Sequence, residues 1–239
     1  MTDSNTQPDY LGHRQRLRER FLLGGGRDMP DYELLELLLT TAIPRRDVKP
    51  IAKNLIRKFG SFARVINAPK EELFKIDGIK DSAYTIFRII VAAIERTSWQ
   101  NLRESELPVL LTTDALIDYC RATMAFSDVE ELHIIYLNSK LQVMKQELMQ
   151  KGTINMVSVH PREVIKAALS NKASAIILVH NHPSGNVTPS TADTQITMQI
   201  REACTTIGIR LLDHIIISES DAYSFSGNGI FGQTSPRGG

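Results

Sequence analysis

Cysteine is scarce in this sequence, with only Cys120 and Cys204 among 239 residues. They are too far apart for a metal knuckle or a redox pair and too few for a disulfide framework, so we expect buried thiols in a reducing compartment. Long apolar runs are also missing. The polar start MTDSNTQPDY lacks the apolar stretch of a signal peptide, and no run approaches the length of a membrane span. These absences predict a soluble, cytoplasmic protein.

A strong excess of either charge is absent as well, because 28 basic residues stand against 27 acidic ones. Net charge therefore selects no partner. Residues 1–107 are slightly basic and residues 108–239 slightly acidic. This asymmetry permits weak nucleic-acid contact through the first half, but a solvated surface explains it equally well.

Helical periodicity dominates the first hundred residues, in GHRQRLRERFL, DYELLELLLTTAI, IAKNLIRKFG and AYTIFRIIVAAIER. In the last of these, apolar residues at helical spacing predict the buried face: Ile86, Ile90, Ala93 and Ile94. We predict a small all-α domain over residues 1–105. From 106 to 232, short apolar runs alternate with helix-like stretches, which predicts an α/β (α+β) domain with a central sheet. Residues 233–239 are predicted to be a disordered tail.

The stretch AIILVHNHPSGNVTPSTAD, residues 175–193, carries the chemistry. AIILVH predicts a strand buried on both faces. Since strand side chains alternate between faces, His180 and His182 point the same way and Asn181 points the opposite way. PSGNVTP predicts a turn before a helix, with Ser190 at the N-cap and Asp193 at the third position. The helix's predicted apolar stripe is Ile196, Ile200, Ala203 and Ile207.

Two imidazoles and one carboxylate give three protein ligands, which leave a tetrahedral zinc one open position, as catalytic sites do. Each part has a simpler explanation by itself. A lone H-x-H is usually a surface or satisfied polar feature, and S-x-x-D is usually a plain helix cap. The hypothesis therefore depends on the conjunction of the two motifs.

The pattern of H-x-H, seven residues, Ser, two residues and Asp resembles the signature of the JAMM (MPN-plus) metallopeptidases. PREVIKAALSNKASAIILVHNHPSGNVTPSTAD, followed by GIRLLDHIIIS, looks like the RadC family, a bacterial branch of that fold. The resemblance covers the C-terminal domain and much of the N-terminal one. It implies a mixed sheet flanked by helices, and one Zn²⁺ per chain held by His180, His182 and Asp193. It also implies that Ser190 hydrogen-bonds the developing oxyanion.

The JAMM resemblance further implies a catalytic glutamate on a strand upstream of the histidines. In RadC-like chains it precedes a Gly-Thr pair, and Glu147 in KQELMQKGTIN matches that place. Glu163 is the competing candidate, although a helix start already explains an acidic residue there. Asp213 and His214, in LLDHIII, are left outside the site as a polar pair between strands.

RVINAPKEELFKIDGIKDSAYTIFRII resembles a helix-hairpin-helix unit, which often grips a nucleic-acid backbone through main-chain amides. Lys80 replaces the usual glycine of the hairpin, and Asp77 brings a negative charge close to any phosphate. DNA binding and a role in protein contacts therefore both stay open.

The leading hypothesis is a zinc-dependent JAMM-type hydrolase that cleaves a peptide or isopeptide-like amide, with its physiological substrate and its oligomeric state undefined by sequence. The alternative is a DNA-associated repair or accessory protein whose metal site is structural or idle. A metal nuclease, suggested by the letters HNH, is a third possibility. Nucleases of that kind spread these residues over a hairpin and a helix instead of one tripeptide.

Overall fold

The computed structural model describes residues 9–152 and 159–231, and side chains from residue 12 onward. The chain divides into two compact units, Met1–Ala93 and Ile94–Gly239. A long helix, α6 (Asp81–Glu104), contains the point of division. The predicted tail at 233–239 lies outside the described residues.

The N-terminal unit is helical, as its periodicity predicted. Its helices are α1 (Asp9–Gly24), α2 (Asp31–Ala42), α3 (Lys49–Phe59), α4 (Phe62–Asn67), α5 (Lys70–Leu73) and the first half of α6. Ser61 caps α4 by accepting a hydrogen bond from the Arg64 N–H at 3.2 Å. The predicted α6 stripe was right only in part: Ile90 packs half-buried against the core of this unit, but Ala93 and Ile94 are exposed, and the fully buried residues are Ala83, Phe87 and Val91.

Within its described residues, the C-terminal unit forms a five-stranded mixed sheet with helices on both faces. After a short 3₁₀ turn (Val109–Leu111), its elements are α7 (Thr113–Met124), β1 (Glu130–Leu137), β2 (Val143–Gly152), α8 (Pro161–Ser170), β3 (Ala175–Asn181), α9 (Thr191–Thr206), β4 (Arg210–Ile217) and β5 (Ala222–Ser224). The strand order is β2-β1-β3-β4-β5; among these described strands β3 and β4 pair in parallel and the other neighbours pair antiparallel. This confirms the predicted mixed sheet flanked by helices.

The centre of the sheet is apolar on both faces, which positions the end of β3. All seven residues of β3 are buried, as expected for a strand covered on both sides. Helix α7 packs on one face, and α8 and α9 pack on the other. The buried side of α9 is Asp193, Ile196, Thr197, Ile200 and Cys204. The predicted stripe was therefore wrong at Ala203 and Ile207, and Ile207 is exposed.

Cys120 and Cys204 are both free and buried, as expected from their scarcity. Burial raises the pKa of the Cys120 thiol to about 12 and that of Cys204 to about 11. Both are therefore held as neutral thiols. In the described part of the chain, no helix is both long enough and apolar enough to span a membrane.

Candidate metal centre

Two histidine rings meet at the C-terminal end of β3. The Nε2 atoms of His180 and His182 are 2.8 Å apart, and the ring centroids are separated by 4.7 Å. His180 is fully buried, whereas His182 keeps 14% of its side chain exposed. Solvent therefore reaches the pair through the His182 side chain.

Asp193 reaches the same point from the first turn of α9. Its Oδ1 lies 3.6 Å from His180 Nε2, and its Oδ2 lies 3.8 Å from His182 Nε2. One ligand atom from each of the three residues falls within 4.8 Å of the other two. The structure therefore brings together the three side chains whose spacing predicted a metal site.

Ser190 holds the carboxylate of Asp193 in a capping box. The backbone N–H and the hydroxyl of Ser190 donate to Asp193 Oδ2 at 2.7 and 2.6 Å, and the Asp193 N–H donates to Ser190 Oγ at 3.1 Å. The two residues thus satisfy the free N–H groups at the start of α9 and fix the carboxylate toward the histidines.

His214 of β4, which was predicted to lie outside the site, is adjacent to His180. Its Nε2 is 2.7 Å from His180 Nδ1, and its Nδ1 is 2.6 Å from Thr197 Oγ1. Its ring stacks on Phe225 at 4.9 Å between centroids. Burial lowers the pKa of His180 to about 4 and lowers that of His214 well below its usual value. Both rings are therefore neutral at neutral pH, and the neutral imidazole is the form that can bind a metal ion.

The second nitrogen of His182 is fixed by a backbone carbonyl. Its Nδ1 lies 2.6 Å from the oxygen of Asn186, in the turn that follows β3. A carbonyl only accepts hydrogen bonds, so Nδ1 carries the proton and Nε2 of the neutral ring is left with a lone pair. That lone pair points toward His180 and Asp193.

Glu147 makes its contacts away from the cluster of His180, His182 and Asp193. Its carboxylate accepts hydrogen bonds from Lys145 at 2.9 Å, Tyr136 at 3.3 Å and Asn171 at 3.4 Å. The hydrogen bond from Lys145 lowers the pKa of Glu147, which makes the group a weaker base. Glu163 is also engaged elsewhere, with Arg162 at 3.3 Å in the first turn of α8. These contacts do not support either residue as the general base.

Glu130, at the start of β1, is the carboxyl group that the structure brings near the cluster. Leu132 of β1 pairs with His180 of β3, and the two strands are antiparallel. Glu130, two residues before Leu132, therefore lies at the same edge of the sheet as His182, two residues after His180. Burial raises the pKa of Glu130, the His182 ring opposes that rise, and the Asp193 carboxylate adds to it. A raised pKa is what a general base or acid needs near neutral pH. The sequence did not single out Glu130, because the glutamate that precedes a Gly-Thr pair in RadC-like chains corresponds to Glu147 in β2. Glu130 also lies on a strand upstream of the histidines.

Comparison with known proteins agrees with both units. A family model described as RadC-like JAB domain matches residues 110–230, and one described as UPF0758 N-terminal matches residues 10–85. The UPF0758 protein of Ruegeria pomeroyi is 46% identical over 223 residues, which are 93% of this chain and 99% of that protein. A UPF0758 protein of Rhodobacter capsulatus is 45% identical over 214 residues, which are 90% and 99% of the two chains. The chain belongs to the RadC family.

In this RadC-family chain, the hairpin predicted to resemble a helix-hairpin-helix turn lies between α5 and α6. Arg46 pairs with the Asp77 carboxylate at 2.5 Å, which offsets the charge that weighed against phosphate contact. Gly78 has a φ of +91°, and a Cβ there would lie 2.7 Å from Ile51 Cδ1 and 2.8 Å from Arg46 Nη1. The positive φ therefore favours glycine at this turn, and a Cβ there would also displace the ends of the Ile51 and Arg46 side chains.

Proposed function

We propose that this RadC-family protein is a zinc-dependent hydrolase of the JAMM type, which cleaves a peptide or isopeptide-like amide bond. The observation that carries the proposal is the 2.8 Å separation of the His180 and His182 Nε2 atoms. His182 Nδ1 donates to the Asn186 carbonyl and His180 Nδ1 faces His214, so both Nε2 atoms are turned inward. Two inward ring nitrogens at this distance are held together by either a proton or a metal ion.

The position of the Asp193 carboxylate favours a metal ion over a proton shared between the two histidines. Its oxygens lie 3.6 and 3.8 Å from the two ring nitrogens, beyond hydrogen-bond distance. Ligand atoms around one tetrahedral zinc are roughly 3.3 Å apart, since the bonds are about 2.0 Å. Nitrogen and carboxylate ligands also suit zinc, and three protein ligands are typical of a catalytic site. The donor set therefore fits zinc.

When bound, zinc would supply a Lewis acid that lowers the pKa of a water and polarises the amide carbonyl. His180, His182 and Asp193 would hold it. The Glu130 carboxylate would take a proton from the attacking water and deliver it to the nitrogen of the leaving amine. Ser190 now donates its hydroxyl proton to Asp193 Oδ2, so its use as an oxyanion donor requires that hydroxyl to rotate toward the substrate.

The direct test uses two matched substitutions, Glu130→Gln and Glu147→Gln. The wild-type protein is incubated with libraries of linear and isopeptide-linked peptides, and new amine termini are detected by mass spectrometry. We expect Glu130→Gln to lower turnover by roughly 10²- to 10⁴-fold, the usual contribution of a general base, with zinc content unchanged. Glu147→Gln should leave turnover near that of the wild type.

Two results would contradict the proposal. Equal turnover by Glu130→Gln and the wild type would remove Glu130 from the mechanism. A zinc-loaded wild type that cleaves no member of the libraries would favour the accessory function with an idle metal site.

A further inference from the structure

Thr197 makes two contacts through one hydroxyl group. Its Oγ1 lies 2.5 Å from the backbone oxygen of Asp193 and 2.6 Å from His214 Nδ1. Thr197 is completely buried, so water does not compete for the hydroxyl. The hydroxyl has one proton, and a carbonyl oxygen can only accept, so the proton is donated to Asp193. Toward His214, the same oxygen must act as an acceptor.

The direction of that bond fixes the tautomers of two histidines in turn. Since Thr197 accepts, His214 carries its proton on Nδ1, and its Nε2 is an acceptor. That Nε2 lies 2.7 Å from His180 Nδ1, so His180 donates through Nδ1. The Nε2 of His180 is then unprotonated, and it is the nitrogen that faces His182 and Asp193.

We propose that Thr197 and His214 are positioning residues that set His180 in its metal-binding tautomer. The inference deepens the proposed function, because it assumes that His180 Nε2 is a ligand. The same hydroxyl that orders the histidines also holds the carbonyl of Asp193, so one residue couples two ligands that come from different elements. A hydrogen-bond partner on the second nitrogen of a ligand histidine fixes the ring and increases its basicity.

His214 cannot act as a fourth ligand in this arrangement. Both of its nitrogens are engaged, with Thr197 and with His180, and its ring is packed flat on Phe225 at an interplanar angle of 16°. Its position behind His180 assigns it to orientation of the ligand and not to contact with the metal.

Loss of the Thr197 hydroxyl should move the protons of His214 and His180 to their other ring nitrogens. Thr197→Val removes the acceptor while it keeps the size of the side chain, which leaves the His214 Nδ1 proton buried without a partner. We expect His214 to shift its proton to Nε2, and this forces His180 to place its own proton on Nε2. The lone pair required for metal binding is then lost. Thr197→Ser keeps the hydroxyl and is the matched control.

The test is two-dimensional ¹H–¹⁵N NMR of the imidazole nitrogens in metal-free protein near neutral pH, followed by zinc competition with a chromophoric chelator. We expect wild type and Thr197→Ser to carry Nδ1 protons on both His180 and His214. Thr197→Val should show Nε2 protons and bind zinc roughly 10- to 100-fold more weakly, the usual effect of losing such a partner.

Wild-type spectra with the His180 proton on Nε2 would overturn the inference without any variant. Equal zinc affinity of Thr197→Val and Thr197→Ser would overturn it as well. A wild type with the expected tautomers but no zinc affinity would instead refute the proposed function, since the NMR result does not depend on metal.

Discussion

The side-chain oxygen of Asn181 accepts a hydrogen bond from the backbone N–H of Glu131 at 2.7 Å. Its amide nitrogen donates to the carbonyls of Val129 at 3.1 Å and Ser127 at 3.4 Å. Asn181 thus binds the backbone on both sides of Glu130, beyond the last β1–β3 pair at Leu132 and His180. Asn181, which lies between His180 and His182, therefore fixes the backbone around Glu130, the proposed general base.

Asn181→Leu should release the start of β1. The change leaves a buried backbone N–H without a partner, which costs about 1–3 kcal/mol. Amide hydrogen exchange is the measurement: we expect the Glu131 amide to lose protection, while amides in the middle of β1 stay protected as an internal control. Unchanged protection at Glu131 would show that the hydrogen bond does not hold the strand end.

Ser190→Ala should weaken both helix α9 and metal binding. The loss of an N-cap costs about 1 kcal/mol, and Asp193 also loses a hydroxyl donor that fixes its carboxylate. We expect a lower free energy of unfolding and roughly 10-fold weaker zinc binding, measured by urea titration and by chelator competition. Ser61→Ala is the control, because Ser61 caps α4 in the other unit. A zinc affinity equally reduced in both variants would argue against a specific role of Ser190.

The stability of the metal-free C-terminal unit should fall on acidification from about pH 6.5 toward pH 4. Burial lowers the pKa of His133, His180 and His214 from the usual 6.5, to about 4 for His180. Below pH 6.5 the unfolded chain therefore binds protons that the folded chain does not, and the free energy of unfolding decreases. Trp99, the single tryptophan, packs in this unit against Tyr119, and its fluorescence reports the unfolding.

Two substitutions test the source of this pH dependence. His133→Gln removes one of the buried histidines without changing His180, His182 or Asp193. The free energy of unfolding of this variant should therefore depend less steeply on pH than that of the wild type. His160→Gln removes an exposed histidine and is the matched control for the substitution itself. Equal slopes for wild type and His133→Gln would contradict the assignment.

Local patterns predicted the grouping of His180, His182 and Asp193 because these proposed ligands lie within fourteen residues of one another. The apolar strand aims His180 and His182 at one side, and the S-x-x-D cap places Asp193 at the helix start. Both depend on short-range geometry that a sequence displays directly.

Glu130 and His214 could not be placed in the same way. Each comes beside the cluster through strand pairing, with β1 antiparallel and β4 parallel to β3. Pairing across a sheet depends on the whole fold, so the local sequence LLDHIII does not indicate that His214 lies beside His180. The buried face of α6 was only partly predicted for a related reason, since apolar residues occur around much of that helix and only packing buries Phe87 while it leaves Ile94 exposed.

Elemental analysis of purified wild type and His182→Ala tests the central claim most directly. We predict close to one zinc per wild-type chain and its loss in His182→Ala, with Glu147→Gln retaining the wild-type content as the control. A wild type that contains no metal would contradict the account. Iron in place of zinc would also contradict it, because two histidines and one carboxylate can hold Fe²⁺ for a different chemistry.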